Sequence, residues 1–248
     1  MSSAPVFLVG SLAGAEPGAP WVLDGAEGRH AVAVRRLRVG EELVLSDGEG
    51  AGVLGRVAEV DGRDRLEVTV LERRDEPEPT PRITVVQALP KGDRGELAVS
   101  TMTETGVDAV VPWAAARCVT QWKGERGAKS LTRWRAAARE AAKQARRLRV
   151  PEVAEPLDSA GVAKLVAGAS FAAVLHESAT LPLATAPLPA GGPLLLVVGP
   201  EGGITEAELT AFADAGATPY RLGPTVLRTS TAGPAATALL LTRTGRWS

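Results

Sequence analysis

Residues 194–209 read "LLLVVGPEGGITEAEL", in which five apolar residues are followed by a glycine-rich loop and a helix-like segment. A run of Leu and Val bounded by Gly and Pro is typical of a strand that is buried on both faces of a parallel sheet. Thr205 and Glu208 have the spacing of a capping box, which predicts that a helix starts directly after the loop. The stretch therefore predicts a strand, a tight loop and a helix, which is the repeating unit of an α/β fold.

The same alternation extends through the chain from residue 83 onward. Strands are predicted at 83–89, 107–113, 171–177, 194–199 and 219–223. Helices are predicted at 95–106, where Gly106 closes the helix, at 130–149, at 205–216 and at the end of the chain, where Pro234 falls in the predicted first turn. Strands that alternate with helices predict a mostly parallel sheet covered by helices on both faces.

The first third of the chain has a different pattern. Short strand-like segments, "EELVLSD", "GVLGRVAEV" and "RLEVTVLE", are joined by the turn clusters "DGEG" and "DGRD", which favours a small β-barrel. The block "RRDEPEPTPR" (73–82) then combines three prolines with alternating charges and opposes regular structure. We predict domains at 1–73 and 83–248 with a linker at 74–82. Gly50, Gly52 and Gly55 match G-x-G-x-x-G, but among hairpins the motif does not indicate a dinucleotide site.

Composition narrows the function class. The chain has 248 residues, of which 45% are hydrophobic, so it can fill a core and is expected to be globular. No apolar run approaches the roughly 20 residues of a membrane span, and the start lacks the features of a secretory signal. We therefore expect a cytoplasmic protein with no membrane partner. One cysteine and two histidines cannot form a metal cluster of soft ligands, and we predict no metal.

Ligands of parallel-sheet proteins bind beyond the carboxyl ends of the strands. Three loops of this chain follow predicted strands and are candidates for such a site. They are 175–178, 199–203 and 222–231, and together they could form the wall of a pocket suited to a flat, partly polar molecule such as an adenosine. Gly199, Gly202 and Gly203 would let the backbone take positive φ or approach a ligand closely. Ordinary connecting loops explain the same residues equally well. Arg228 could be a salt-bridge partner or a group that stabilises an anion.

The segment 129–149 carries a concentrated positive charge. Eight Lys and Arg residues face one acid, Glu140, within these 21 residues, while Leu131, Trp134, Ala138, Ala141, Ala145 and Leu148 form one apolar stripe. Such a patch would attract a polyanion, and "RHAVAVRRLR" (29–38) adds further arginines. A solvated helix face is the plainer interpretation of a charge run. The one-sided charge favours RNA or DNA binding.

Five segments in order, "ALPKGDR" (88–94), "TETGV" (103–107), "RWRAAAREAAKQ" (133–144), "GPEGGITEAEL" (199–209) and "LGPTVLRTSTA" (222–232), resemble the ribosomal RNA small subunit methyltransferase E family of the SPOUT class. The N-terminal "RHAVAVRRLRVGEELVLSDGEG" matches as well, so the resemblance covers nearly the whole chain. It implies a PUA-like N-terminal β-barrel and a C-terminal α/β methyltransferase domain with a deep trefoil knot. It also implies S-adenosylmethionine as cofactor, N3 of a uridine in 16S rRNA near the decoding site as target, and a homodimer.

The resemblance also assigns residues by position. Arg228 is the candidate catalytic residue. The expected cofactor contacts are Leu175, His176, Glu177, Gly199, Pro200, Glu201, Gly202, Gly203, Ile204, Leu222, Gly223, Val226, Leu227, Arg228, Ser230 and Thr231. The expected RNA contacts are Arg29, His30, Arg35, Arg36, Lys91, Arg94, Arg139, Lys143, Arg146 and Arg147.

Two departures from the family pattern stand out. Ser230 occupies a position where the family usually has Glu, and the basic helix ends in "QARR" instead of "Q-S/C-G-R". No general base can be named from the sequence. The alternatives are a related knotted methyltransferase acting on another rRNA or tRNA site, and a non-catalytic RNA-binding or ribosome-assembly protein with the same fold.

Overall fold

The computed structural model describes residues 4–247, which divide into two compact units. The N-terminal unit contains the described residues up to Glu78 together with Ala142–Val150. The C-terminal unit contains Pro79–Ala141 and the described residues from Pro151 onward. Among residues 4–247, no helix has the length and apolar character needed to cross a membrane.

The N-terminal unit is built on a five-stranded sheet. Its strands are β1 (Val6–Leu8), β2 (Pro20–Leu23), β3 (Glu42–Ser46), β4 (Ala51–Asp61) and β5 (Arg65–Asp75). The strand order is β1-β3-β4-β5-β2, with β1 parallel to β3 and every other pair antiparallel. Phe7, Leu43, Leu45 and Leu66 are fully buried in the core on one face of this sheet. A short helix, α1 (Gly25–Arg29), and a π-helical turn (His30–Val34) lie between β2 and β3.

The predicted strands of this unit are confirmed, with one shift at its end. Strand β5 continues to Asp75, so the first two residues of the predicted linker are still paired with β4. Gly52 and Gly55 lie inside β4, where an added Cβ would press on Leu148 and Val68. The glycine motif therefore opens no helix, and its glycines make room for side chains of the core.

The C-terminal unit is built on a six-stranded sheet flanked by helices. Its strands are β6 (Ile83–Ala88), β7 (Ala109–Trp113), β8 (Glu152–Val153), β9 (Phe171–Leu175), β10 (Leu194–Val198) and β11 (Thr218–Tyr220). Its helices are α2 (Arg94–Thr105), α3 (Gly124–Gln144, whose last residues belong to the N-terminal unit), α4 (Ser159–Ala167), α5 (Glu206–Asp214) and α6 (Thr229–Arg243), with a 3₁₀ turn at Leu183–Thr185. The order is β11-β9-β10-β6-β7-β8 and every neighbouring pair is parallel, as predicted.

Helices cover both faces of this sheet. Val86 and Ala88 point toward the core that Phe212 of α5 and Val162 of α4 complete. Gln87, between them in β6, points to the opposite face because successive strand residues alternate. There it bonds to α6, whose Gly233 lies close to Met102 of α2. The α/β architecture expected from the sequence is confirmed.

Several helix boundaries were also predictable. Thr205 and Glu208 form the capping box at the start of α5, and Gly106 ends α2 with a left-handed φ of 111°. Pro234, however, is not in the first turn of the last helix, because α6 begins at Thr229 and Pro234 therefore lies in the second turn. There it has no N–H to donate to the carbonyl of Ser230, four residues earlier.

Helix α3 differs most from the prediction of 130–149. It begins at Gly124 and ends at Gln144, and Arg146 adopts a left-handed φ of 56°. The predicted apolar stripe is confirmed for Leu131, Trp134 and Ala138, whereas Leu148 lies beyond the helix. After the helix the chain runs along the N-terminal sheet, where Val150 N–H donates to Gly48 O and Gly50 N–H donates to Leu148 O. Residues 142–150 thus belong to the N-terminal unit, although no boundary was predicted there.

Glu208 does more than cap α5. One carboxylate oxygen accepts bonds from Ala116 N (2.8 Å) and Ser159 Oγ (2.7 Å), and the other accepts from Thr205 N and Oγ1 (3.0 and 2.8 Å). Burial raises the pKa of Glu208, but the bonds from Ala116, Thr205 and Ser159 lower it more, so the net pKa lies below its ordinary 4.5. The ionised form therefore ties α5 to α4 and to the loop after β7.

We expect Glu208→Gln to lower the free energy of unfolding by about 1–3 kcal/mol near neutral pH, because a Gln nitrogen would face donors that now meet an acceptor. Since the folded pKa lies below the unfolded value, the carboxylate stabilises the fold above pH 4.5 and loses that effect as the pH falls through the folded pKa. Urea unfolding should therefore show the two proteins converging in acid. Glu206→Gln, which removes an exposed acid from the same helical turn, is the control. A constant difference from neutral to acidic pH would contradict this role.

Candidate functional site

Four loops meet at one edge of the parallel sheet. Strands β11, β9, β10 and β6 are neighbours, and because they are parallel the loops that follow them leave from the same edge. Sequence reasoning had identified three of these loops. The fourth, which follows β6 and leads to Arg94 at the start of α2, had been assigned only to RNA contact. The carboxyl edge of such a sheet is the usual ligand position.

A cavity of about 320 Å³ lies between these loops. It is lined by Arg94, Leu175, His176, Glu177, Val198, Gly199, Pro200, Glu201, Gly203, Ile204, Val226, Leu227, Arg228, Thr229 and Ala232. A smaller cavity of about 110 Å³ shares part of this wall and extends along 221–225. Their combined size and mixed lining suit a nucleoside-sized ligand.

Most residues predicted to contact the cofactor line one or both cavities. Leu222 and Gly223 line only the smaller one. Gly202, Ser230 and Thr231 line neither. Ser230 is buried in the first turn of α6, so the substitution of Ser for the usual acid does not alter the wall of the cavity in this structure.

The glycines of the loop after β10 are required for different reasons. Gly203 has a left-handed φ of 75°, as the sequence suggested. Gly199 and Gly202 do not need positive φ. A Cβ on Gly199 would lie 2.7 Å from Ile204 Cγ1, and one on Gly202 would lie 3.1 Å from Arg117 Cβ. These two glycines therefore let neighbouring side chains pack onto the loop.

Two guanidinium groups belong to the lining of the larger cavity. Arg228 is exposed at the N-cap of α6, and within residues 4–247 it has no ion-pair partner. Arg94 lies 3.5 Å from Glu201 Oε1, which also accepts a bond from Lys91 N at 3.3 Å. The Glu201 carboxylate thus orients Arg94 and ties the loop after β6 to the loop after β10. The lining thus holds two arginines and two carboxylates, Glu177 and Glu201. Because Arg94 is paired with Glu201, Arg228 is the arginine of this lining whose charge is available to stabilise negative charge on a ligand or transition state.

Sequence reasoning missed Arg117, which contacts the outer side of the glycine loop. Its guanidinium donates to Gly202 O at 3.2 Å, and its side chain fills the space left by the missing Cβ. Arg117 lies in an irregular segment about 85 residues before Gly202, so no spacing or motif in the sequence indicated the contact.

The residues predicted to contact RNA have different environments. In the N-terminal unit, Arg29, Arg35 and Arg36 are exposed, and His30 is half-buried with its ring in T-shaped contact with that of Phe7. Residues 146 and 147 follow the end of α3, where Arg146 is exposed and Arg147 is half-buried. In the C-terminal unit, Lys91 and Arg139 are exposed.

Lys143 differs from the expectation of an RNA contact. Its side chain is only 4% exposed, and its ammonium lies 2.9 Å from Glu27 Oε1 and 3.4 Å from His30 Nδ1. A buried ammonium that is already paired with a carboxylate is not available to a phosphate. Lys143 instead attaches the end of α3 to α1 within the N-terminal unit.

Metal chemistry has no candidate ligands in the described part of the chain. Across residues 4–247, no group of three or more His, Cys, Asp or Glu side chains has an arrangement that could hold a metal ion. The single cysteine, Cys118, is a half-buried free thiol whose pKa is raised by burial.

Comparison with known proteins agrees with this geometry. A family model described as an RNA methyltransferase domain matches residues 76–241, and one described as an RNA methyltransferase PUA domain matches residues 23–71. The chain is 50% identical over 237 residues to a Mycobacterium bovis protein named ribosomal RNA small subunit methyltransferase E. This match covers 94% of this chain and 90% of that relative. The Bacillus subtilis protein of the same name is 30% identical over 218 residues, with 85% of each chain covered.

Solved structures give the same result. The crystal structure of a ribosomal RNA small subunit methyltransferase E from Neisseria gonorrhoeae bound to S-adenosyl methionine superposes with a TM-score of 0.84 at 29% identity. The match covers 97% of this chain and 98% of that one. Both family models, a 50% identical relative and a structure matched over nearly its full length thus agree. The chain belongs to the ribosomal RNA small subunit methyltransferase E family.

Proposed function

We propose that this protein transfers the methyl group of S-adenosylmethionine to N3 of one uridine in 16S rRNA near the decoding site. The observation that carries the proposal is the cavity of about 320 Å³ at the carboxyl edge of the sheet, which combines apolar walls, loop backbone and two arginines. The family of this protein includes the Neisseria gonorrhoeae relative, whose crystal structure is bound to S-adenosyl methionine. The target base and its position rest on the family resemblance.

The lining of the cavity fits this cofactor. Leu175, Ile204 and Leu227 offer apolar surface for an adenine ring. Residues 199–201 and 203 offer backbone groups for its polar edge and the ribose. Glu177 and Glu201 supply carboxylates, which suit a ligand with hydroxyl groups and positive charge. When bound, the cofactor would supply a sulfonium methyl group that is already electrophilic, so no metal is needed for its activation.

For this reaction the protein must align the methyl group with N3 and stabilise the negative charge that forms on the uracil ring. Methylation at N3 forms an N–C bond as the S–C bond breaks, and the proton of N3 must leave. Loss of that proton places negative charge on the carbonyl oxygens of the uracil ring. Arg228, whose charge has no ion-pair partner among residues 4–247, would stabilise these oxygens, and Arg94, oriented by Glu201, is placed to assist. A water molecule or a group of a second subunit would accept the proton.

RNA binding would use exposed cations of both units together with the half-buried Arg147. We assign it to Lys91 and Arg139 in the C-terminal unit and to the arginines of 29–36 with Arg146 and Arg147 in the N-terminal unit; Lys143 is omitted because its charge is paired in the interior. Phosphate contacts release counterions, so the affinity for RNA should fall steeply as salt is raised.

The homodimer and the trefoil knot are proposals that rest on the family resemblance. Sedimentation of the cofactor-free protein measures its oligomeric state directly. If the protein is a monomer at every concentration, the second subunit cannot contribute to the cavity.

The experiment that tests the function is transfer of labelled methyl from S-adenosylmethionine to small ribosomal subunits that lack this modification. Free 16S rRNA, large subunits and tRNA are the parallel substrates. We expect label in small subunits or 16S rRNA and none in tRNA. Label in tRNA alone would indicate a related knotted methyltransferase with a different target. Folded protein that binds RNA but neither binds the cofactor nor transfers label would indicate a non-catalytic binding protein.

A further inference from the structure

A buried amide connects strand β6 to the glycine loop after β10. Gln87 is fully buried, and its Nε2 donates to Ala88 O at 3.1 Å and to Thr229 Oγ1 at 2.9 Å. The Thr229 hydroxyl donates in turn to Gly199 O at 2.9 Å. Gly199 and Thr229 both line the larger cavity, whereas Gln87 lies behind it. The three residues therefore form one chain of hydrogen bonds that reaches the cavity from within the sheet.

The direction of this chain follows from the donors and acceptors available. Both hydrogens of Gln87 Nε2 are used, one on the Ala88 carbonyl and one on the Thr229 oxygen. A flipped amide would place Gln87 Oε1 against the carbonyl oxygen of Ala88, which is repulsive. The Thr229 oxygen is thus an acceptor for Gln87, and its single hydrogen is directed to Gly199 O.

Gln87 is an unusual residue for its position. Its neighbours Val85, Val86 and Ala88 are fully buried apolar residues, and within the described residues Gln87 Oε1 has no hydrogen-bond partner. A buried amide with one unpaired oxygen destabilises a core relative to an apolar side chain of similar size. A polar residue at a core position where an apolar one would be more stable is typical of a residue that serves a functional site.

Helix α6 approaches the sheet closely enough to make the chain possible. A Cβ on Gly233, one turn after Thr229, would lie 2.7 Å from Met102 Sδ and 3.5 Å from Gln87 Oε1. Glycine at this position lets the start of α6 lie against β6 and the end of β10. Arg228, which precedes Thr229, is placed by the same contact.

We infer that Gln87 and Thr229 are positioning residues of the methyl-transfer site. They fix the carbonyl of Gly199 and, with it, the glycine loop that would hold the cofactor, and they fix the backbone from which Arg228 extends. The inference rests on the proposed function for its effect on cofactor affinity. Its effect on the loop itself does not depend on that function.

The first measurement is amide hydrogen exchange of residues 199–204 in the cofactor-free protein. Thr229→Val keeps the shape of the side chain and removes the hydroxyl, and Thr229→Ser keeps the hydroxyl. We expect exchange in this segment to be about tenfold faster in Thr229→Val and within about threefold of the unmodified protein in Thr229→Ser. Gln87 lies at the other end of this series of hydrogen bonds. Gln87→Met should therefore also speed exchange in residues 199–204, and it provides a second variant if Thr229→Val does not fold.

Thr237→Val is the matched control. Thr237 is a fully buried threonine two turns further along α6, and within residues 4–247 its hydroxyl has no hydrogen-bond partner. Its replacement should leave exchange at 199–204 unchanged. Equal exchange in Thr229→Val and the unmodified protein, or an equal increase in Thr229→Val, Thr229→Ser and Thr237→Val, would overturn the inference.

The second measurement is calorimetric affinity for S-adenosylmethionine together with steady-state kinetics. We expect Thr229→Val to weaken cofactor binding about tenfold and to raise the KM for the cofactor, with the KM for RNA unchanged and with rescue in Thr229→Ser. If the unmodified protein binds no cofactor, the proposed function fails while the exchange result still decides the positioning role. If the unmodified protein binds and Thr229→Val binds equally well, the positioning role fails while the proposed function stands.

Discussion

Arg228→Ala is expected to slow methyl transfer by about 100- to 1,000-fold, with the affinity for S-adenosylmethionine changed by less than about threefold. Arg228 lines the cavity, its charge has no ion-pair partner within residues 4–247, and it lies at the start of α6, where Thr229 fixes the backbone. In the proposed reaction, a guanidinium in this position would stabilise negative charge that appears on the uracil oxygens only as the N3 proton leaves. An interaction made only in the transition state lowers kcat when it is removed and leaves ground-state binding intact.

Single-turnover methyl transfer with saturating cofactor and RNA measures this rate. Arg228→Lys keeps the charge without the planar fork and should recover part of the rate. Arg63→Ala removes the same charge from an exposed turn of the N-terminal unit and is the control for general electrostatics. If Arg228→Ala turns over normally, or if it lowers only the affinity for the cofactor, Arg228 has no part in stabilising the reacting base.

Arg246→Ala is expected to lower the free energy of unfolding by about 3–5 kcal/mol. Arg246 Nη2 lies 3.0 Å from Asp108 Oδ1, Nη1 lies 2.6 Å from Oδ2, and Nη1 also donates to Pro81 O. Asp108 is 4% exposed in its side chain and accepts a further bond from Ile83 N. Removing the arginine leaves a buried carboxylate without its cation at the start of β6, where the chain enters the parallel sheet.

Urea unfolding of Arg246→Ala against Arg82→Ala tests this prediction. Arg82 and Glu152 form a 2.8 Å ion pair whose side chains are 43% and 64% exposed, so its loss should cost less than about 1 kcal/mol. Adding Asp108→Asn to Arg246→Ala should recover part of the loss, because the uncompensated charge is then absent. Equal effects of Arg246→Ala and Arg82→Ala would show that burial does not strengthen the first pair.

The sequence predicted the local elements of the fold well where one short segment determines the structure. Thr205 and Glu208 define the start of α5, and Gly106 defines the end of α2, because each signal acts within one helical turn. The end of α3 was predicted wrongly. The basic run continues with helix-forming residues to 149, but Leu148 O accepts bonds from Ser46 Oγ and Gly50 N, about 100 residues earlier. Tertiary contacts of that range override helix propensity and have no local signature.

The candidate site was predictable to a similar degree. The loops after β9, β10 and β11 could be grouped because parallel strands place their ends at one edge, and the structure brings them together around one cavity. The order of the strands was not predictable, so the loop that ends at Arg94 was not expected beside the glycine loop. The role of Gln87 was not predicted either, because a single polar residue in an apolar strand does not indicate its partner. The hydrogen bond from Gln87 to Thr229 is visible only in the structure.

We propose that the protein methylates N3 of a single uridine in 16S rRNA. The most direct test of this proposal is mass-spectrometric mapping of 16S rRNA from small subunits that lacked the modification and were then incubated with the protein and S-adenosylmethionine. We expect one nucleotide with a mass increase of one methyl group, identified as N3-methyluridine, and no such product with Arg228→Ala at matched times. Methylation of a different base, of a ribose, or of no rRNA nucleotide by folded, cofactor-binding protein would show that the proposed target is wrong.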